Sequence, residues 1–543
     1  MKAATAILLA AVVACLAGCT KNGSAPGMRH PWTHTGVLRI AVTEEPKNLN
    51  PLLAGTTIEI FIDRLMFEPL LSADARGNTV PMLAAVVPSQ GNGGISADGL
   101  TIIYHLRRNA SWSDGVPVTA HDVAWSWQAI ENPNNDAVSR HGYDEVRAID
   151  TPDAHTVVVH LKRRFSPFVN TFFAESDQVY DILPAHVLAR YANVNSVPFN
   201  ARPSVSDGPF RFVEWRRADR ILLDANPRFF QGTPGLKHVE ILFVPNEDSG
   251  TNLLRAHAID YLYQPSIQTY PTLNSLPDAR IVWVNANGFE GVEFNLSHPL
   301  LSDARVRTAI AAALDKPTFT ITLTHGQTVP ATEDLPNWMW AFDPSARSVP
   351  FDLAGARQLL AQAGWVAGPD GIVRKQGQPL ELLLVTDNAS ATHRSESILI
   401  QAALKQIGIA VDVKYYPFDL LYAPQAMGGI QHGGKFDMLA YDWYAGIDPD
   451  NSSELTCNNF PPHGYNDPRY CSAAMDAAQQ TALSHYDRAT RRVAYSKIEH
   501  LLARDNPILF FWWQRQQEAI SVDFHGFDPN PVVESWDAWR WSI

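Results

Sequence analysis

The stretch LELLLVTDNASATHRSESILIQAALKQIGIAVDV, from Leu380 to Val413, decides the fold class. Leu380 to Val385 is almost continuously apolar and of strand length. Ile400, Ala403, Leu404 and Ile407 then recur at the spacing of one helical face, Gly408 stops the helix, and Ile409 to Val413 returns to strand. Strand, helix and strand in that order make a parallel crossover unit, because parallel neighbours cannot be joined by a tight hairpin. Just upstream, Ala356, Leu359, Leu360 and Ala363 form another helical stripe that Gly364 ends. The chain is therefore read as α/β.

Downstream lies FDMLAYDWYAGIDPDNSSELTCNNFPPHGYNDPRYC, Phe436 to Cys471. Phe436, Met438, Ala440 and Asp442 alternate with Asp437, Leu439, Tyr441 and Trp443 as in a half-buried strand, and the run then breaks into a long loop rich in turn formers. Aromatic side chains beside carboxylates on such a loop suit recognition of a small polar ligand. Beyond it, Ala494, Ile498, Leu501 and Leu502 mark a helix that ends before Pro507, and Ile508 to Trp513 is a strongly apolar strand. Trp536, Trp539 and Trp541 near the end are read as packing residues.

Upstream, Val37 to Val42 is a strand of the kind buried in a parallel sheet, and Thr56 and Thr57 can cap a helix carrying Ile58, Phe61, Ile62 and Leu65. From Ser96 to Ile130 an Asp98-Gly99 turn, a strand, an Asp114-Gly115 turn and a helix opening at Thr119, with Asp122 as capping acid, follow one another. Val306, Ala309, Ile310, Ala313 and Leu314 form a further helical face, with Asp303 at its start and Pro317 beyond its end.

At 543 residues the chain is long enough for about three lobes. With 46% hydrophobic and 18% charged residues and a formal net charge of −13, a large core is expected, and nucleic acid and anionic lipid are excluded as main partners. Neither a GxSxG elbow nor an HExxH helix occurs. Gly429, Gly434 and Lys435 have phosphate-loop spacing, but Phe436 stands where the Ser or Thr belongs and a strand follows, so the segment is read as a turn. His121, His298 and His393 sit near helix starts or turns and are read as hydrogen-bonded or solvated imidazoles. No metal site and no cofactor are expected.

The N-terminus resembles a bacterial lipoprotein signal: Lys2 precedes an apolar run from Ala3 to Ala17 that ends in Leu16-Ala17-Gly18-Cys19, too short to span a bilayer. The resemblance implies removal of residues 1–18, lipid on Cys19, a tether over 19–36, and a protein exported to the periplasm or cell surface. Cys15 would leave with the signal and Cys19 would carry lipid, so Cys457 and Cys471 remain as a pair that an exported protein can oxidise.

The signature from Ser96 to Ile130 resembles that of the family 5 extracellular solute-binding proteins, the peptide and nickel binders of ABC importers. Phe67-Glu68-Pro69-Leu70-Leu71, Asp207-Gly208-Pro209-Phe210, Phe294-Asn295, Asp303-Ala304-Arg305-Val306-Arg307 and Ala313-Leu314-Asp315 extend the likeness along nearly the whole mature chain. It implies a fold of the type II periplasmic-binding-protein kind, with two main lobes and an inserted extra domain around a hinged cleft. The expected division is 37–80, 204–288 and 507–543 for lobe I, 81–203 for the inserted domain and 289–506 for lobe III. It further implies a monomer that captures a peptide-like solute by hinge closure and hands it to a membrane permease driven by ATPase subunits. The candidate ligand contacts are Glu44, Asn50, Gly208, Pro209, Trp338, Trp340, Tyr441, Trp443, Tyr444 and Asp448. Two positions depart from the pattern: Ala445 stands where peptide binders often carry the acid that meets the ligand's amino terminus, and Ser206-Asp207 precedes Gly208. Asp448 is the expected substitute for the missing acid. The alternative function is an exported hydrolase acting on a small polar substrate.

Overall fold

The structure is a computed structural model that describes residues 30–176 and 178–543. The signal-like run and Cys19 lie outside the described residues. Among those described, no helix is long and apolar enough to cross a membrane.

A single mixed sheet of ten strands runs through both main lobes. In chain order its strands are β1 (Val37–Val42), β2 (Phe210–Arg216), β3 (Arg220–Ala225), β4 (His238–Phe243), β5 (Tyr261–Leu262), β6 (Ala279–Phe294), β7 (Glu381–Asp387), β8 (Ala410–Tyr416), β9 (Met438–Tyr444) and β10 (Ile508–Ser521). Their spatial order is β8-β7-β9-β6-β10-β5-β1-β4-β3-β2. The crossover read from Leu380 to Val413 is present: β7 and β8 pair in parallel, and the helix Ala391–Lys405 joins them. β1 is parallel to both of its neighbours, β5 and β4, as its apolar run predicts.

Two strands tie the lobes together. β6 and β10 are antiparallel partners over most of their length, β6 pairing with β9 in one lobe and β10 with β5 in the other. Sequence periodicity ends the last strand at Trp513, yet β10 continues to Ser521. The reason is a change of surroundings along one strand. Ile508 to Trp513 is packed on both faces, Gln514 to Glu518 passes between the lobes where polar side chains are required, and Ala519 and Ile520 enter the cores of the other lobe. The ladder between β6 and β10 is interrupted at this passage: pairing jumps from Asn285/Arg515 to Phe289/Trp513. Three residues of β6 thus stand opposite Gln514 alone, a bulge where the sheet can bend.

The sequence-predicted caps are in place. Thr56 accepts a hydrogen bond from the Glu59 amide at the start of the helix Thr57–Met66, and Thr119 and Asp122 close a capping box on the helix Ala120–Glu131. Asp303 caps Ala304–Ala313. Gly408 ends the crossover helix with φ +83°, a conformation that favours glycine.

Residues 101–161 carry a separate three-stranded antiparallel sheet, Thr101–His105 and Val146–Asp153 flanking Thr156–Leu161. Its apolar side chains share one core cluster with β1, β3, β4 and the helix Thr57–Met66. The C-terminal Trp541 closes that cluster, fully buried against Phe524 and Phe527, which bears out its reading as a packing residue. In the other lobe two cores lie on opposite faces of β6, β9 and β10. One is covered by the helices Ala304–Ala313, Leu353–Gln362 and Ala391–Lys405, the other by Ala473–Ser484 and Arg488–Asp505.

Candidate functional site: an acid-floored cleft between the lobes

Where the sheet crosses between the lobes it floors a cavity of about 460 Å³, within the range of small-molecule sites. Gln264 to Ile267 face it from one lobe, and Asp387, His393, Phe418 and Tyr422 from the other. The floor is made by Glu290 of β6, Asp442 and Tyr444 of β9, and Trp512 and Gln514 to Gln517 of β10.

The floor's chemistry is set by strand register. Glu290 and Asp442 are direct cross-strand partners, an arrangement of like charges that is unfavourable unless a cation or proton lies close. His393 supplies part of the compensation. Its Nε2 is 3.0 Å from Glu290 Oε1 and 3.6 Å from Asp442 Oδ1, while its Nδ1 meets Asp387. Burial alone would discharge this ring, but Glu290 and Asp387 outweigh burial and hold the His393 pKa well above its usual value. With carboxylates at both nitrogens the ring carries both protons. Asp387 is pushed up by burial and pulled down further by the His393 hydrogen bond, so it stays ionised. It also accepts from the backbone N–H groups of Ala389 and Ser390, which fixes the start of the crossover helix.

Burial and the nearby Glu290 raise Asp442 to about 6, although His393 opposes the shift. One helical turn beyond His393, Glu396 is fully buried, and no N–H or hydroxyl donor reaches either of its oxygens. Burial, then Glu290, keep its carboxyl protonated well above the usual range. Gln514 donates to Glu290 Oε2 at 3.0 Å. Arg515 lines the same cavity, but its guanidinium donates to the Gln327 carbonyl and lies over the Trp283 ring at 5.0 Å. Among the described residues no group of three or more His, Cys, Asp and Glu is arranged to hold a metal ion.

Of the ten ligand contacts expected from sequence, Tyr444 alone borders this cavity. Trp443 turns to the other face, packing against Tyr465 at 5.7 Å beside a small hollow under Asp450 and Asn451. Tyr441 is buried edge-on to Phe289. Trp338 donates to Asn287 Oδ1 at 3.0 Å and packs on Trp513, and Trp340 lies under Arg488 and Arg491, so neither indole is an open flat surface. Glu44 is exposed on the loop after β1. Asn50 is buried and bonded to Asn200. Gly208 packs so tightly on Met66 that a Cβ would come within 2.5 Å of its carbonyl carbon, and the Pro209 carbonyl accepts from the Asn226 amide. Asp448, the expected substitute for the missing acid, has its carboxylate held by Arg491 and Asn170 in a buried contact outside this cavity.

The carboxyl groups of Glu290, Asp387, Glu396 and Asp442 set the site's chemistry but were not among the expected contacts. His393 was read as a hydrogen-bonded imidazole, which it is, but in the cleft. Asp442 had a legible signal, since it continues the strand face of Met438 and Ala440, where an apolar residue belongs if the core extended that far.

Cys457 and Cys471 form a disulfide with a Cα–Cα distance of 4.6 Å. It closes the segment after β9, which is less irregular than its composition suggests, containing the short helix Ser452–Leu455 and a 3-10 turn at Cys457–Asn459. A second crevice of about 650 Å³ lies between that segment and residues 138–165. It lies away from β6 and β10.

Comparison with known proteins agrees with this architecture. Residues 78–462 match the family described as "Bacterial extracellular solute-binding proteins, family 5 Middle". The oligopeptide-binding protein AppA of Bacillus subtilis is 24% identical over 533 residues, covering 97% of this chain and 95% of its own. The structure of that species' AppA with a nonapeptide superposes with a TM-score of 0.78 at 23% identity, covering 93% of this chain and 98% of the other. NikZ of Campylobacter jejuni, in complex with Ni(L-His), gives 0.80 at 22%, covering 94% and 100%. The chain belongs to the family 5 bacterial extracellular solute-binding proteins, with their type II periplasmic-binding fold.

Proposed function

We propose that this protein is the solute-capturing subunit of an ABC importer and that its solute is peptide-like. The observation that carries the reading is the cleft itself: a cavity bordered by both lobes, floored by the two strands that join them, and holding more carboxylates than cations. A solute seated there touches both lobes at once only when they are closed on it, so binding shifts the population toward the closed form, which a permease can distinguish. The curated relatives include peptide-binding proteins such as AppA, which supports a peptide-like ligand over other small solutes.

The chain is read as exported, tethered through lipid on Cys19 and acting as a monomer without cofactor or catalytic activity. The hydrolase alternative lacks an activated nucleophile in the cleft: Ser390 caps the crossover helix, Ser266 donates to Glu247, and carboxylates take both His393 nitrogens. The test is to denature protein purified from its native compartment and identify what is released by mass spectrometry. A peptide or peptide derivative is the expected result, and a sugar or metal complex in stoichiometric amount overturns the reading.

A further inference from the structure

We propose that the Glu290–Asp442 pair, backed by His393 and Glu396, is a cation subsite that exchanges a stored proton for a positively charged group of the solute. The inference rests on the cleft being the solute site, and it concerns which solutes are chosen and how acid affects their capture.

The geometry leaves a deficit of positive charge. β6 contributes Glu290, β7 ends in Asp387, β9 contributes Asp442, and the crossover helix contributes Glu396 and one cation, His393. The remaining groups do not balance them. Tyr422 and Tyr444 are phenols, β10 offers the neutral Gln514, Arg515 is engaged with Gln327 and Trp283, and the facing lobe presents Gln264, Pro265, Ser266 and Ile267, none of them charged. Four carboxyl groups therefore share the His393 imidazolium, with Arg515 as the one other cation lining the cavity among the described residues, an excess of acid that is costly unless protons or a further cation intervene.

Burial first, and the neighbouring Glu290 after it, make two of the four hold protons more tightly: Glu396, sealed behind the cavity with no hydrogen-bond donor, and Asp442, which lines it. An ammonium or guanidinium placed over Glu290 and Asp442 favours the ionised form of Asp442 and lowers its proton affinity, so binding releases a proton. By linkage the affinity for a cationic solute falls as the pH drops through the Asp442 range near 6, where protons compete for the same oxygens. The cation can come from a peptide's amino terminus or from a basic side chain.

The experiment uses ligand-stripped full-length protein, an equimolar mixture of random tripeptides, and the same mixture after N-acetylation. Retained species are identified by mass spectrometry near pH 7.5 and near pH 5. The expected result is retention of free-amine peptides near pH 7.5 and at least about a tenfold loss of retention near pH 5. If the amino terminus is the cation, acetylation abolishes retention throughout. If a side chain is, acetylated peptides containing Lys or Arg survive and the others do not. Retention of acetylated peptides lacking Lys and Arg as strongly as their free-amine counterparts overturns the cation subsite while leaving the peptide reading intact. Retention of neither mixture at either pH overturns both. Calorimetry of a retained peptide in two buffers of different ionisation enthalpy near pH 6.5 should show net proton release, lost in a folded Asp442→Asn variant. The wild-type comparison stands if that variant does not fold.

Discussion

Asp448 and Arg491 hold each other through two hydrogen bonds, one of 2.9 Å, with the guanidinium 5.2 Å from the Trp340 ring centroid. Both side chains are only 7% exposed. Desolvating a charge pair is costly, and leaving one member without its partner costs more, about 3–5 kcal/mol. Asp448→Ala should therefore lower the stability of the ligand-free protein by an amount of that order, measured by denaturant unfolding. A loss of solute affinity with unchanged stability would return Asp448 to the binding site.

Stability should decrease from pH 6 to pH 8. Burial, as the leading cause, raises Glu534 and Asp537 to about 7 and Glu333 to about 8. In the unfolded chain such groups ionise near pH 4. Between that value and the folded values the native state retains protons that the unfolded state has lost. Stability therefore falls as pH rises through the window and levels off above it. His393, raised by its carboxylates, acts in the same direction. Calorimetric melting of ligand-free protein checks this; a melting temperature that climbs from pH 6 to pH 8 contradicts it.

Opening the disulfide should loosen one segment. Cys457 and Cys471 are 14 residues apart, and closing a loop of this size is worth roughly 3 kcal/mol in the chain-entropy model. The Cys457→Ser/Cys471→Ser double variant should lose hydrogen-exchange protection over residues 452–471 first, with β6 and β10 retaining theirs. Uniform loss of protection across the large sheet would be the contrary result.

Gly288→Ala should strain the junction of the lobes. A Cβ there would lie 2.1 Å from the Trp443 carbonyl oxygen on β9, so one strand must move. Overpacking of this kind costs about 1–3 kcal/mol. Reduced stability together with weakened solute binding is expected. A variant with wild-type behaviour in both assays would show that β6 and β9 separate more easily than their pairing suggests.

Much of the fold could be read from the chain because local and tertiary demands coincide. Leu380 to Val413 is apolar where buried and interrupted where it turns, so strand, helix and strand are recovered in order, although the helix opens at Ala391, well before the stripe that begins at Ile400. β6 escaped that reading. Its 16 residues alternate poorly because they pass through three environments, an exposed edge near Arg280, the cleft at Glu290 and a core at Val292. The site was less legible for a related reason. Glu290, Asp387, His393, Glu396 and Asp442 come from four separate elements, and only strand register and a helix turn bring them together. Trp338 and Trp340, expected as ligand contacts, lie in a turn-rich stretch, but turn-rich segments can also fold back onto a core, and these do.

The interruption between Asn285/Arg515 and Phe289/Trp513 is a point at which the sheet can bend, and Glu290 stands one residue beyond it. A rotation of the lobes about that point would leave a group held at Glu290 close to the axis, displaced very little by a large change of lobe angle. The far lips of the cleft, by contrast, sweep a wide arc for the same rotation. A receptor built like this can grip one fixed end of its cargo while adjusting its jaw to the length and bulk of the rest, so discrimination at the pivot need not restrict the variety admitted at the mouth.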